Sequence, residues 1–235
     1  MNLAERTGAG LHTHVSTKLL DLEPNLNRAI LDIGCGTGAL LSRLNSLGYV
    51  NLSGLDIAPP RTMPGIAFIT GDLDEPHWPV AEGSIDVITA IEVIEHVENT
   101  GNFLHQSNRM LVPNGLLFIT TPNIHSIEAR LRFLLLGKLK QFDDIGDQTH
   151  VSPISLFPFS RLASRHGFVL MAHWGFPEDG SSPTSRGTLR LLAGLIKCLG
   201  ARGRPAGDQL CLVLRKSRAA APPEPKHDML TRHYD

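Results

Sequence analysis

Cysteine is scarce in this 235-residue chain: Cys35, Cys198 and Cys211 are the only three. Odd in number, far apart and without a C-x-x-C pair, they exclude a disulfide framework and fit a reducing compartment. Charge of one sign is also missing. Lys plus Arg number 22 against 23 for Asp plus Glu, and a net charge of −1 gives no electrostatic case for bulk nucleic-acid binding. Trp and Tyr number two each, which leaves few platforms for stacking bases. No apolar run reaches the ~18 residues of a membrane span. The opening stretch MNLAERTGAGLHTH has no apolar core, so it is not expected to act as a signal peptide, and a cytoplasmic location is expected.

What is present reads as one large α/β domain. Hydrophobic residues make up 42% and charged residues 19%, ordinary values for a soluble globular protein with a real core. Residues 29–33, 51–57, 66–72, 85–91 and 116–122 read as strands, and 38–47 and 103–111 as helices between them. Strands alternating with helices predict a mostly parallel sheet covered on both faces. Beyond residue 122 the pattern predicts an extra amphipathic helix over 124–136 and an acidic loop, QFDDIGDQTH. A helix over 156–166, a strand over 168–174, an apolar helix over 188–199 and a last strand over 209–216 follow. Residues 1–216 are expected to form the single domain, with segments 123–150 and 176–204 inserted in it. The Pro- and Ala-rich residues 217–235 are expected to be mostly disordered.

The first chemical signal is LDIGCGTGAL, residues 31–40. A strand enters it and a helix leaves it. Gly34, Gly36 and Gly38 let backbone approach a ligand, and a helix N-terminus offers free N–H groups. Asp56, at the end of the next strand, is placed to accept hydrogen bonds from ribose hydroxyls. Gly34-x-Gly36-x-x-Ala39 with an acid about 20 residues on also satisfies the dinucleotide fingerprint. Two features favour a sulfonium cofactor instead. Asp32 inside the loop suits a ligand ammonium better than a pyrophosphate, and Asp72 in GDL (71–73) is placed for an adenine amino group. The chain also has no second region resembling a hydride-acceptor domain.

As a set, LDIGCGTG, GLDI, GDL and LVPNGLLFITTPN resemble the class I S-adenosylmethionine-dependent methyltransferases, over roughly residues 25–175. The resemblance implies a Rossmann-like seven-stranded sheet with helices on both faces and an antiparallel last strand, and S-adenosyl-L-methionine as cofactor. It places Asp32, Gly34 and Gly36 along the methionine part, Asp56 and Ile57 at the ribose and adenine, Asp72 and Leu73 at the adenine, and Ile91 and Glu92 near the methyl group.

IEVIEHVEN, residues 91–99, follows the fourth strand and borders the acceptor pocket on that placement. If a helix begins near Glu92, then Glu92, Glu95 and His96 share one face. Acidic residues in a first helical turn are then equally well explained by the helix dipole. The stretch resembles the E-x-x-E-H of ubiquinone-biosynthesis O-methyltransferases and small-RNA 3′-terminal 2′-O-methyltransferases, which also carry a later histidine, matched here by His150. The resemblance implies that Glu92, Glu95, His96 and His150 hold one divalent ion (Mg, Mn, Co or Zn), with Glu92, His96 and His150 catalytic. His96, His150 or His125 acting as a plain general base is the alternative, though for His125 a solvated position at a helix start is the expectation.

For the acceptor, Arg130, Arg132, Lys138 and Lys140 are followed at once by the acidic DDIGD. A small hydroxylated molecule, a catechol, quinone precursor or sugar, is expected ahead of an RNA 3′ end. A non-catalytic methyltransferase-like module is the third reading, and the intact glycine loop with Asp56 argues against it. The 188–199 helix is expected to be core; peripheral membrane contact through it stays open.

Overall fold

In the computed structural model of the chain the described residues are 7–60, 62–182, 193–195 and 206–217. The apolar runs assemble into one seven-stranded sheet. Its strands are β1 (Ala29–Ile33), β2 (Asn51–Asp56), β3 (Ile66–Thr70), β4 (Ile85–Ile91), β5 (Leu111–Pro122), β6 (Phe168–Phe176) and β7 (Gln209–Lys216). Their order is β3-β2-β1-β4-β5-β7-β6. All pairings from β3 to β5 are parallel, and β7 runs antiparallel to both β5 and β6. This is the Rossmann-like sheet that the motifs imply.

Among the described residues the helices α1 (Leu11–Leu22), α2 (Ala39–Ser46), α3 (Thr100–Met110), α4 (Ile127–Leu136) and α5 (Leu156–Arg165) accompany it. The period of two along each strand divides the apolar side chains between two cores. In the first core Ile30, Val87, Phe118 and Val213 join Val15 and Leu19 of α1 and Leu40, Leu41 and Leu44 of α2. Leu31, Ile88, Leu117 and Leu212 point the other way, onto Phe103 and Leu104 of α3 and Phe159 of α5. Burial on both faces is why these strands read as continuous apolar runs rather than alternating ones.

Local chemistry sets the boundaries. α3 begins at Thr100, ahead of the expected 103, because the Asn99 side chain accepts a hydrogen bond from the Asn102 amide at 2.9 Å. α4 begins at Ile127 rather than 124, with Ser126 accepting from Ala129 N–H at 3.1 Å. Helix α1 was not read from the sequence, although Leu11, Val15 and Leu19, spaced by four, are all fully buried. Of the expected helix over 188–199 and the expected tail over 217–235, only 193–195 and Ser217 fall within the described residues. The 176–204 segment is described only through 182 and over 193–195.

Candidate functional site

The C-terminal ends of β1, β2 and β4 surround the point where the strand order reverses, the usual place for a ligand crevice in an open α/β sheet. A cavity of about 610 Å³ lies there, its wall including Asp32, Gly34, Gly36, Asp56, Glu92 and His96. A second hollow of about 180 Å³, lined by Asp72 and Leu73, shares Gly34, Asp56, Ile57, Val93 and His96 with it. The two form one cleft. It gathers the sequence-expected Asp32, Gly34, Gly36, Asp56, Ile57, Asp72, Leu73 and Ile91. Gly38 is not on its wall. That glycine stands at the start of α2 with φ 76°.

The glycine turn is shaped by two close approaches. A Cβ at Gly34 would lie 2.5 Å from Val93 Cγ2, so the turn can pass under Val93 only without a side chain. A Cβ at Gly36 (φ 51°) would meet nothing within 4 Å. Gly36 therefore borders open cavity, where backbone can touch a ligand. Asp56 is held by its own chain. Its Oδ2 accepts from Gly36 N–H at 2.9 Å and its Oδ1 from Ala58 N–H at 3.0 Å. Each oxygen keeps a lone pair for ligand hydroxyls. Asp32 is almost fully buried, and its Oδ1 accepts from the Thr89 hydroxyl at 2.6 Å. Burial pushes its carboxyl up to about 7, against the lowering effect of that hydrogen bond.

The opposite end holds the IEVIEH residues. No α-helix begins at Glu92. The chain leaves β4, turns at Glu92 with φ 55°, and makes a single 3-10 turn over Ile94–His96. A left-handed non-glycine residue at the end of a strand is a strained conformation, kept by local bonds. Thr120 supplies them: its Oγ1 accepts from Glu92 N–H at 3.0 Å and donates to Glu92 Oε1 at 2.9 Å. Burial, then the charge of Asp208, raises the Glu92 carboxyl to about 7 against the Thr120 bond.

Glu95 is fully buried, and neither carboxylate oxygen has a hydrogen-bond partner. The neighbouring Thr121 hydroxyl forms no well-aligned bond to it and is itself buried without a partner. Burial and the nearby Glu92 charge hold the Glu95 carboxyl well above its ordinary value. An orphaned buried carboxylate is costly unless something cationic completes it. His96 and His150 stand beside it. One potential ligand atom each from Glu95, His96 and His150 lies within 4.8 Å of the others. Glu92, the fourth residue of the expected set, is outside this group.

The hydrogen bonds fix which ring nitrogens are available. His150 Nδ1 lies 2.7 Å from the Gln141 carbonyl, which can only accept, so Nδ1 carries the proton and Nε2 the lone pair. Thr149 Oγ1 donates to Asp147 Oδ1 at 2.6 Å, leaving it to accept from His96 Nδ1 at 2.8 Å. His96 thus also presents Nε2. Burial and the neighbouring His150 lower the pKa of His96, which favours the neutral, ligating form. The loop that brings His150 in is tied to Glu95 itself, whose carbonyl accepts from Val151 and Ser152 N–H, both at 2.9 Å. One carboxylate and two imidazole lone pairs fit a divalent ion. His125 is elsewhere: its Nε2 accepts from Leu156 N–H at 3.0 Å, capping α5 instead of lining the cleft. Thr120, Thr149, Asp147 and His12 belong to the site and were not read from the sequence. The run FITTP offered a signal, a pair of polar residues closing an apolar strand.

A family model described as a methyltransferase domain matches residues 10–173. The ubiquinone biosynthesis O-methyltransferase of Azorhizobium caulinodans is 32% identical over 120 residues, covering 47% of this chain and 46% of that protein. The mitochondrial ubiquinone biosynthesis O-methyltransferase of Schizosaccharomyces pombe is 30% identical over 179 residues, covering 66% of this chain and 64% of that one. The chain thus spans about half to two thirds of the length of these relatives. A solved S-adenosylmethionine-dependent methyltransferase from Archaeoglobus fulgidus superposes with a TM-score of 0.60 at 19% identity, over 87% of this chain and 94% of that one, which shows the shared fold.

Proposed function

The chain belongs to the methyltransferase-domain family, and from that premise we propose that it transfers the methyl group of S-adenosylmethionine to a hydroxyl of a small molecule carrying two adjacent oxygens. The observation that carries the reading is the continuity of one cleft. Asp32, Gly36 and Asp56 line it with His96, and His96 belongs to the Glu95–His96–His150 group. On this reading Asp32 meets the methionine ammonium, Asp56 the ribose hydroxyls, and Asp72 with Leu73 the adenine. Ile91 and Glu92 border the reacting methyl.

Glu95, His96 and His150 would hold the divalent ion. Bound there, it would lower the pKa of an acceptor hydroxyl and fix its oxygen. The residues of the chain do the rest. Thr120 orients Glu92, the Gln141 carbonyl sets the His150 tautomer, and Thr149 with Asp147 sets that of His96. Val93 packs closely over Gly34 in the wall of the cleft. A catechol or quinone precursor is the preferred acceptor, in keeping with what the matched relatives are named for. The acid-rich wall, with Asp32, Asp56, Glu92 and Asp147, works against a polyanionic acceptor such as an RNA end.

We further propose that residues 1–216 work as one unit, with 123–150 as its acceptor-side segment, and that the protein is cytoplasmic. No helix among the described residues is long and apolar enough to cross a membrane. The reading is tested by offering methyl-labelled S-adenosylmethionine with catechols, vicinal-diol sugars and single-stranded RNA 3′ ends, with a divalent ion present. Label is expected in one oxygen of a small diol. Label in RNA alone would replace the acceptor class, and failure to bind the cofactor at all would favour a non-catalytic module.

A further inference from the structure

The cations of the 123–150 segment are of two kinds. Arg130 Nε donates to the His125 carbonyl at 2.9 Å, Arg132 pairs with Asp143, and Lys138 Nζ donates to Asp144 Oδ1 at 2.5 Å. These bonds stay inside the segment. Lys140 reaches out of it. Its side chain is buried, and its Nζ donates to Asp208 Oδ1 at 2.6 Å and to Ser182 Oγ at 2.8 Å. Ser182 Oγ in turn donates to Asp208 Oδ1 at 2.5 Å, and both of these residues are buried too. Asp208 is rooted in the sheet. It directly precedes Gln209 of β7, which pairs with Pro122 of β5, and its carbonyl accepts from Asn123 N–H at 2.8 Å. The 123–150 and 176–204 segments therefore meet at a buried ion pair against the start of β7.

Gln141, the next residue after Lys140, carries the carbonyl that accepts from His150 Nδ1 at 2.7 Å. Its backbone is left-handed, φ 68°, a conformation that a non-glycine residue keeps only where its surroundings hold it. The same carbonyl is crowded from the far side of the loop, where a Cβ at Gly146 would lie 2.8 Å from it. Downstream, Val151 and Ser152 N–H both donate to the Glu95 carbonyl at 2.9 Å. Residues 141–150 are thus fastened to the body of the domain through Lys140 at one end and through Glu95 at the other.

We infer that Lys140, clamped by Asp208 and Ser182, is a positioning residue: it fixes the Gln141 carbonyl and, through it, the orientation and tautomer of His150. The inference rests on the reading of Glu95, His96 and His150 as an ion site. A ligating imidazole needs its other nitrogen bonded to a fixed acceptor, because that bond sets the ring orientation and the basicity of the ligand atom. A buried Lys–Asp pair suits this task. It is often no more stabilising than apolar side chains of the same volume, yet its directed, charge-assisted bonds hold one geometry.

The test uses the full chain, first free of ions and then titrated with Co²⁺, whose absorption reports its ligand set. Lys140→Met alone strands Asp208 as a buried, uncompensated charge and endangers the fold. It is therefore paired with the double variant Lys140→Met, Asp208→Asn, which removes both charges at nearly constant volume. Imidazole nitrogen-15 resonances should show the His150 proton on Nδ1 in the wild type and a mixture of tautomers in the double variant. Co²⁺ affinity should fall by about 10-fold and the Co²⁺ spectrum should change, while S-adenosylmethionine affinity and Tm stay close to wild type. Lys140→Arg, which keeps a charged donor, should retain part of the Co²⁺ affinity. A double variant with the wild-type tautomer and wild-type Co²⁺ affinity would overturn the inference. So would an affinity loss with the tautomer unchanged, because Lys140 would then act by another route. An equal loss of S-adenosylmethionine affinity would overturn it as well, since the pair would then serve the whole fold. If the wild-type protein binds no Co²⁺, the ion reading falls, and the tautomer comparison alone decides: a retained Nδ1 proton sinks the role of Lys140, and a lost one upholds it.

Discussion

The two ends of the cleft are built in opposite ways. The cofactor end comes from backbone and side chains close in sequence. The β1 turn places Gly34 and Gly36, and the Gly36 amide orients Asp56 across one strand pair. The acceptor end comes from residues far apart. Glu95 and His96 sit on a single 3-10 turn, and His150 is delivered by a loop more than fifty residues later. The cofactor end is largely satisfied before a ligand binds, since both oxygens of Asp56 and one of Asp32 already accept hydrogen bonds. The acceptor end holds a buried carboxylate with no partner. A wall completed by the protein suits a ligand that stays common to every turnover. An uncompensated one is poised for a cation.

The contrast predicts separable defects. The largest belongs to the acceptor end. Glu95→Ala and His150→Ala should each lower methyl transfer by at least about 100-fold, because each removes a ligand of the proposed ion. Calorimetric affinity for S-adenosylmethionine should stay unchanged. A parallel loss of cofactor affinity would break the separation. Glu95→Gln adds a stability check: relieving the orphaned carboxylate should hold or raise the Tm of the metal-free protein while transfer is lost. A marked fall in Tm would mean that Glu95 serves the fold.

The next effect belongs to the cofactor end. Asp56→Ala leaves ribose hydroxyls and the Gly36 amide without their acceptor, and should cost about 1–3 kcal/mol of cofactor binding. Divalent-ion affinity, measured by titration without cofactor, should not move.

Much of this division was legible in the residues and some was not. The glycine turn, Asp56 and the positions of the seven strands were readable because close backbone approach demands glycine and because the strands are apolar runs bounded by turns. Glu95 and His96 stood out through the resemblance of E-x-x-E-H, since their spacing alone fitted a helix dipole equally well. Glu92 was grouped with them as one face of a helix, and the chain instead turns sharply at that residue, φ 55°, under Thr120. That turn keeps Glu92 outside the Glu95–His96–His150 group. Asp147, Thr149 and the Gln141 carbonyl were unreadable because they act through a loop closure that no periodicity encodes. Helix α1 was passed over because its polar residues, His12 and His14 among them, masked the three leucine and valine positions that bury it.

The smallest effect sharpens the comparison by pH. Asp32 rises from the ordinary 3.8 to about 7 in the ligand-free protein, mainly through burial. The folded state therefore holds this proton more tightly than the unfolded chain does. The stability from Asp32 is fully present below about pH 4 and is lost as pH rises through about 7. A methionine ammonium beside Asp32 favours its ionised form, so cofactor affinity should rise from pH 6 to 8 by up to several-fold, with proton release below about pH 7. Calorimetry in buffers of different ionisation enthalpy reads that proton, and Asp32→Asn should remove the slope. A slope unchanged in that variant would move the titration to another group.

The most direct measurement is methyl transfer from labelled S-adenosylmethionine to a catechol, followed before chelation, after it, and after a divalent ion is returned, with cofactor affinity read in the same samples. The account predicts a singly O-methylated catechol, loss of transfer on chelation, recovery with Mg²⁺, Mn²⁺, Co²⁺ or Zn²⁺, and constant cofactor affinity throughout. Undiminished transfer in the chelated protein would contradict it.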